Sequence, residues 1–82
     1  MTRDEARALV LEALCEVAPE VDPGALRDDV PFREQLDLDS MDFLRFLVGV
    51  DARTGVAIPE ADYAGLERLD DVVARVLAAK GG

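Results

Sequence analysis

The stretch "QLDLDSMDFLRFLVGVDARTG", Gln35 to Gly55, decides the fold. An acidic approach without periodicity gives way at Asp39-Ser40 to an apolar run, which predicts a helix from Asp39 or Ser40 to about Thr54. Asp39 is the natural N-cap, Asp42 sits at the third helical position, and Gly55 supplies a left-handed C-terminal cap. Met41, Phe43, Leu44, Phe46, Leu47, Val48 and Val50 make this helix apolar over most of its circumference. It must lie at the centre of a bundle or share apolar surface with something else. Gly49 costs up to about 1 kcal/mol relative to Ala in a helix interior, and close packing against another backbone would explain it.

Upstream, Ala6, Leu9, Val10, Ala13, Leu14 and Val17 recur at steps of three and four and trace one face of an amphipathic helix. Thr2 with Glu5 forms a capping box, Pro19 is the stop, and Cys15 falls on the opposite, partly exposed face, where an artefactual intermolecular disulfide is conceivable. From Pro19 to Asp39 lies a long connection, with Val21, Leu26, Val30, Phe32 and Leu36 as apolar anchors. An ordered loop with a helical turn near Phe32 to Leu36 is expected. Downstream, Val56 to Pro59 reads as extended and Glu60 to about Leu66 as one or two helical turns. Leu69, Val72, Val73, Val76 and Leu77 then mark a last helix, with Lys80 to Gly82 as a frayed tail. The expected fold is all-α: a single domain over 1–82, a small four-helix bundle of three main helices and one short one, with a long first loop.

With 82 residues, a large enclosed cleft is not expected. The net charge of -9, from 18 acidic against 9 basic residues, disfavours nucleic acid and anionic membrane and favours partners with basic patches. The same charge also serves simply to keep a small domain soluble. A single cysteine allows no internal disulfide, and the absence of histidine removes the usual zinc sites and general bases. Neither a secretory core nor a membrane span is evident, so a cytoplasmic monomer is expected.

Ser40 stands out within the opening stretch. At a helix start its hydroxyl lies near unpaired N–H groups and the positive end of the helix dipole, which favours a phosphate ester, while Asp37, Asp39 and Asp42 push such a group outward to solvent. As a nucleophile Ser40 lacks a base, but an enzyme acting on it would bring its own. Plain helix capping by Asp39 and Ser40 is the competing reading. A calcium loop fails on the missing glycine and on Val48 at the twelfth position, and no metal site is expected.

Taken together, Asp39-Ser40-Met41, Gly55-Val56 with Ile58-Pro59-Glu60, and Leu69-Asp70-Asp71-Val72-Val73 resemble an acyl carrier protein in this order and spacing, over nearly the full length. The resemblance implies that a phosphopantetheinyl transferase attaches 4'-phosphopantetheine from coenzyme A to Ser40, flanked by Asp39 and Met41, and that the arm carries acyl groups as thioesters. Catalytic residues are not implied, since the chemistry belongs to the arm and to the visiting enzymes. It also implies an acyl chain sheltered between the central helix and its neighbours, with Leu44, Phe46, Leu47, Val50, Ile58 and Leu66 as lining candidates. Partners such as an acyl ligase, acyltransferase or ketosynthase with basic patches would read Asp37, Asp42, Arg45, Val48 and Asp51 beside Met41.

Three positions depart from the family pattern. Asp37 replaces a usual glycine, Thr54 a frequent aromatic, and Arg45 a usual acidic residue. Arg45 would repel the basic partners of housekeeping fatty acid synthesis, which points to a specialised lipid or secondary-metabolite pathway, polyketides included. An unmodified docking or regulatory module, and a peptidyl or aryl carrier on the same fold, remain as alternatives. Ser40 separates the first of these from a carrier, and the loading ligase would separate the second.

Overall fold

The computed structural model describes residues 1–81. Its elements are α1 (Arg3–Val17), α2 (Phe32–Gln35), α3 (Ser40–Thr54), a 3-10 segment (Glu60–Gly65) and α4 (Leu69–Ala79). This is the expected all-α bundle of three long helices. The turn expected near Phe32 to Leu36 is α2, and the short helix expected from Glu60 to about Leu66 is the 3-10 segment.

The helix ends follow local rules. Thr2 caps α1 through the N–H of Glu5, and the Glu5 carboxylate accepts the N–H of Thr2 in return, both at 3.1 Å. Asp39 caps α3 by accepting the N–H of Asp42 at 2.8 Å. At the other end, Gly55 turns the chain with φ of 75°, a conformation a side chain would strain. Thr54 reinforces that end from inside the protein: its buried hydroxyl donates to the carbonyl of Val50 at 2.7 Å and accepts the N–H of Val56 at 3.2 Å. A phenyl ring at this position could make neither bond. Past α4 the N–H groups of Lys80 and Gly81 bond back to Val76 and Ala78, while Gly82, the rest of the expected tail, lies outside the described residues.

α1 packs on both α3 and α4. Its buried positions are Ala6, Val10, Ala13 and Leu14. Leu9, expected on this face, is half-buried and outside the core cluster, whereas Leu11 packs against it. Two packing partners shift the buried arc of α1, and a one-sided periodicity cannot anticipate that. The core is completed by Phe46, Val50, Leu69, Val72, Val73 and Val76, all fully buried.

Gly49 marks a close approach of α3 to α1: a Cβ there would stand 3.2 Å from the Cβ of Ala13. Ordinary helix propensity favours Ala, but the contact opposes any larger group. Gly49→Val is expected to force the two helices apart and to cost about 1–3 kcal/mol, read from urea unfolding. A variant as stable as the parent would show that the interface has slack.

The long connection is ordered by bonds that cross the fold. The Arg7 guanidinium grips the Asp28 carboxylate with two bonds, at 2.7 and 2.9 Å, and Arg3 bridges Asp28 to Asp70. The carbonyl of Asp28 also accepts the N–H of Asp70, and the N–H of Phe32 donates to the carbonyl of Glu67 at 2.7 Å. Gln35 staples the loop from within, through the backbone of Arg27 and the carbonyl of Val30.

The bonds from Arg7 hold the Asp28 carboxyl below the ordinary aspartate value. A depressed native pKa stabilises the fold above the unfolded value, and that share is lost as pH falls through the native one. Asp28→Asn should therefore cost about 1–2 kcal/mol at neutral pH, with a gap to the parent that narrows in acid. An equal gap at both pH values in urea titrations would count against the clasp.

Candidate functional site

Ser40 is the first residue of α3, exposed, beside the cap residue Asp39. The capping bond comes from Asp39 alone, and the Ser40 hydroxyl forms no hydrogen bond among the described residues. Of the two residue types that could cap this helix, one does so and the other is left with a free hydroxyl. No helical register accounts for that hydroxyl.

Ser40 is among the residues that line an open groove of about 610 Å³. Its wall is mostly apolar, from Leu38, Met41, Phe43, Leu44, Tyr63 and Leu66, with Arg33, Glu60 and Glu67 among its polar lining. Beneath it lies an aromatic cluster. Phe46 meets Phe32 edge-on with centroids 5.7 Å apart, and Tyr63 meets Phe43 edge-on at 6.0 Å. These rings join α2, α3 and the 3-10 segment, so the groove exists because three separate elements converge on Phe43 and Phe46.

Of the residues expected to shelter a chain, Leu44 and Leu66 line this groove. Phe46, Leu47, Val50 and Ile58 do not: they are buried in the core cluster. The apolar lining that sequence reasoning missed includes Phe32, Leu38, Phe43 and Tyr63. Phe32 reads as a loop anchor and Tyr63 as one residue of a short helix, and neither reveals a neighbour far off in the chain.

The residues proposed for docking divide by exposure. Asp37, Arg45, Val48 and Asp51 are exposed, and Asp42, whose N–H is held by Asp39, is half-buried. Met41 is 59% exposed, Leu44 41% and Val48 61%, an apolar stripe along one side of α3. This is the surface the over-apolar α3 sequence required. Among the described residues no helix is long and apolar enough to cross a membrane, and no group of metal-ligating side chains converges. Cys15 is unpaired and half-buried.

A serine with a free hydroxyl, open to solvent, beside an apolar groove fits a covalently attached flexible arm. Comparison with known proteins agrees. The family model described as "Phosphopantetheine attachment site" matches residues 8–76. The chain is similar to the meromycolate extension acyl carrier protein of Mycobacterium tuberculosis, 33% identical over 76 residues, which cover 93% of this chain and 65% of the relative. It thus spans about two thirds of that relative's length. The corresponding protein of Mycolicibacterium smegmatis is 33% identical over 75 residues, 92% of this chain and 75% of the relative. The acyl carrier protein of Tropheryma whipplei is 28% identical over 78 residues, 92% of this chain and 95% of the relative. With a site of this form and a family match over most of its length, the chain belongs to the acyl carrier protein family, whose cofactor is 4'-phosphopantetheine.

Proposed function

We propose that Ser40 is the attachment point of 4'-phosphopantetheine and that the protein carries acyl intermediates in a specialised lipid pathway. The observation that carries this is the division of labour at the start of α3: Asp39 caps the helix, and Ser40 offers an exposed hydroxyl with no structural partner. When bound, the arm supplies a thiol that holds acyl groups as thioesters. Ser40 holds it through its oxygen, and Leu38, Met41, Leu44 and Tyr63 give its apolar parts a wall to lie along. The protein itself breaks no bonds. Tethering raises the local concentration of the acyl group wherever the carrier docks.

The names of the mycobacterial relatives, which refer to meromycolate extension, support a lipid cargo. Partners are a phosphopantetheinyl transferase and an acyl ligase, acyltransferase or ketosynthase, met in the cytoplasm by a monomeric carrier. Asp37 and Asp51 are exposed for basic residues of such partners, and Met41 and Val48 for apolar ones. Intact mass before and after incubation with coenzyme A, magnesium and a promiscuous transferase tests the reading. Gain of one phosphopantetheine supports it, and no gain by a folded protein leaves a docking module in its place.

A further inference from the structure

A second groove, of about 540 Å³, runs between α1 and α3. Its floor is made of small residues, Ala13, Gly49 and Ala52, and its walls include Leu44 and Val48. The charges that line it are Arg45 and Arg53 against the single carboxylate of Glu16. That balance is the reverse of the other two grooves. Around Ser40 the lining has Arg33 against Asp39, Glu60 and Glu67, and the groove of the long loop has Arg27 against Glu20, Asp22 and Asp37. Among these three grooves of a chain of net charge -9, this is the one where cations outnumber carboxylates.

The two arginines are not equivalent. Arg53 is engaged: it bonds to Glu16 and donates to the carbonyl of Gly49 at 3.2 Å. Arg45 is exposed and has neither an ion pair nor a hydrogen bond among the described residues. It lines the groove together with Leu44 and Val48, which are 41% and 61% exposed. Five residues along α3 separate it from Ser40, about 7.5 Å of helical rise.

We infer that the groove between α1 and α3 docks a protein segment that carries an apolar side chain next to a carboxylate, the apolar group seated on Val48 and Ala52 and the carboxylate on Arg45. The inference deepens the carrier reading and rests on it in one respect, that the segment belongs to an enzyme acting on the arm. Carboxylates elsewhere on α3 select basic groups, so Arg45 adds a requirement of opposite sign. Partners with basic residues at this point are rejected by like charge, and the pattern of both signs sets the register of docking.

Isotope-labelled full chain is titrated at low salt with two helical peptides of equal length that differ only in whether glutamates or lysines flank a central leucine. The glutamate peptide is expected to shift the amides of Ala13, Val48, Gly49 and Ala52 and to bind there about three- to fivefold tighter than the lysine peptide, against the field of the whole protein. Arg45→Glu should invert that preference, and Val48→Asp should remove the shifts. The inference is overturned by preference for the lysine peptide at these amides, by shifts confined to other surfaces, or by no shift at millimolar glutamate peptide. Shifts that grow with the concentration of the chain alone would give the groove to a second copy instead and also overturn it. Loading of Ser40, measured on the same sample by mass, reports separately on the carrier reading.

Discussion

Ser40→Ala is expected to take up no phosphopantetheine and to fold like the parent. The two halves of that result come from different atoms. On the proposed reading loading needs the Oγ of Ser40, an exposed hydroxyl in the lining of the groove that makes no hydrogen bond among the described residues. Folding needs the cap, and the cap is the Asp39 carboxylate accepting the N–H of Asp42 at 2.8 Å, which the substitution leaves alone. Alanine is a better helix former than serine at a solvent-exposed position, so stability should change by no more than about 0.5 kcal/mol. Asp39→Ala is the complement: it keeps the hydroxyl and should cost about 1 kcal/mol of stability through the lost cap. Intact mass after incubation with coenzyme A and transferase, together with thermal unfolding, reads all three proteins. An unchanged mass gain in Ser40→Ala would move the attachment site elsewhere.

Phe46→Ala is expected to be the most damaging single change in the core. Phe46 is fully buried, with its ring 5.7 Å from Phe32 and 6.1 Å from Phe43. Its removal takes away transfer energy and aromatic contacts together and leaves a void that α2 and the 3-10 segment can fill only by moving, at a cost of about 3–5 kcal/mol. A domain of this size has about 4–12 kcal/mol in total, so the loss should lower Tm by roughly 15 °C or more. The groove beside Ser40 should suffer with it, because Phe43 and Phe32 lose their common support. Val48→Ala, on a residue 61% exposed, should stay within about 0.5 kcal/mol of the parent. A Phe46 variant that lost less than about 1 kcal/mol would show that the cluster is not what holds these elements together.

The carbonyl of Asp28, the Gln35 staple and the clasp of Arg7 on Asp28 were not legible in the sequence, although the apolar anchors Val21, Leu26, Phe32 and Leu36 were, with Val30 half-buried outside the core cluster. Anchors repeat at intervals that a pattern can carry. A salt bridge between residues 21 apart depends on where two backbones pass in space, and nothing near Arg7 signals it. The acyl-chain candidates show the same division: Leu44 and Leu66 reach the groove, whereas Phe46, Leu47, Val50 and Ile58 turn to the core. All six are apolar residues on or near helices, and only the packing of α3 and α4 against α1, with the elements that join them, assigns a side to each.

By itself the sequence determined the helices, their caps at Thr2, Asp39 and Gly55, and the position of Ser40 at the start of α3, because these depend on interactions within a few residues along the chain. Tertiary structure alone decided that Ser40 borders a groove lined by aromatic rings, that Gly49 meets Ala13, and that Arg45 stands unpaired among the described residues in a groove it shares with the exposed Leu44 and Val48. Each of these is a relation between surfaces brought together only when three amphipathic helices bury a common core, and the free energy that arranges them is spread over contacts no local pattern records.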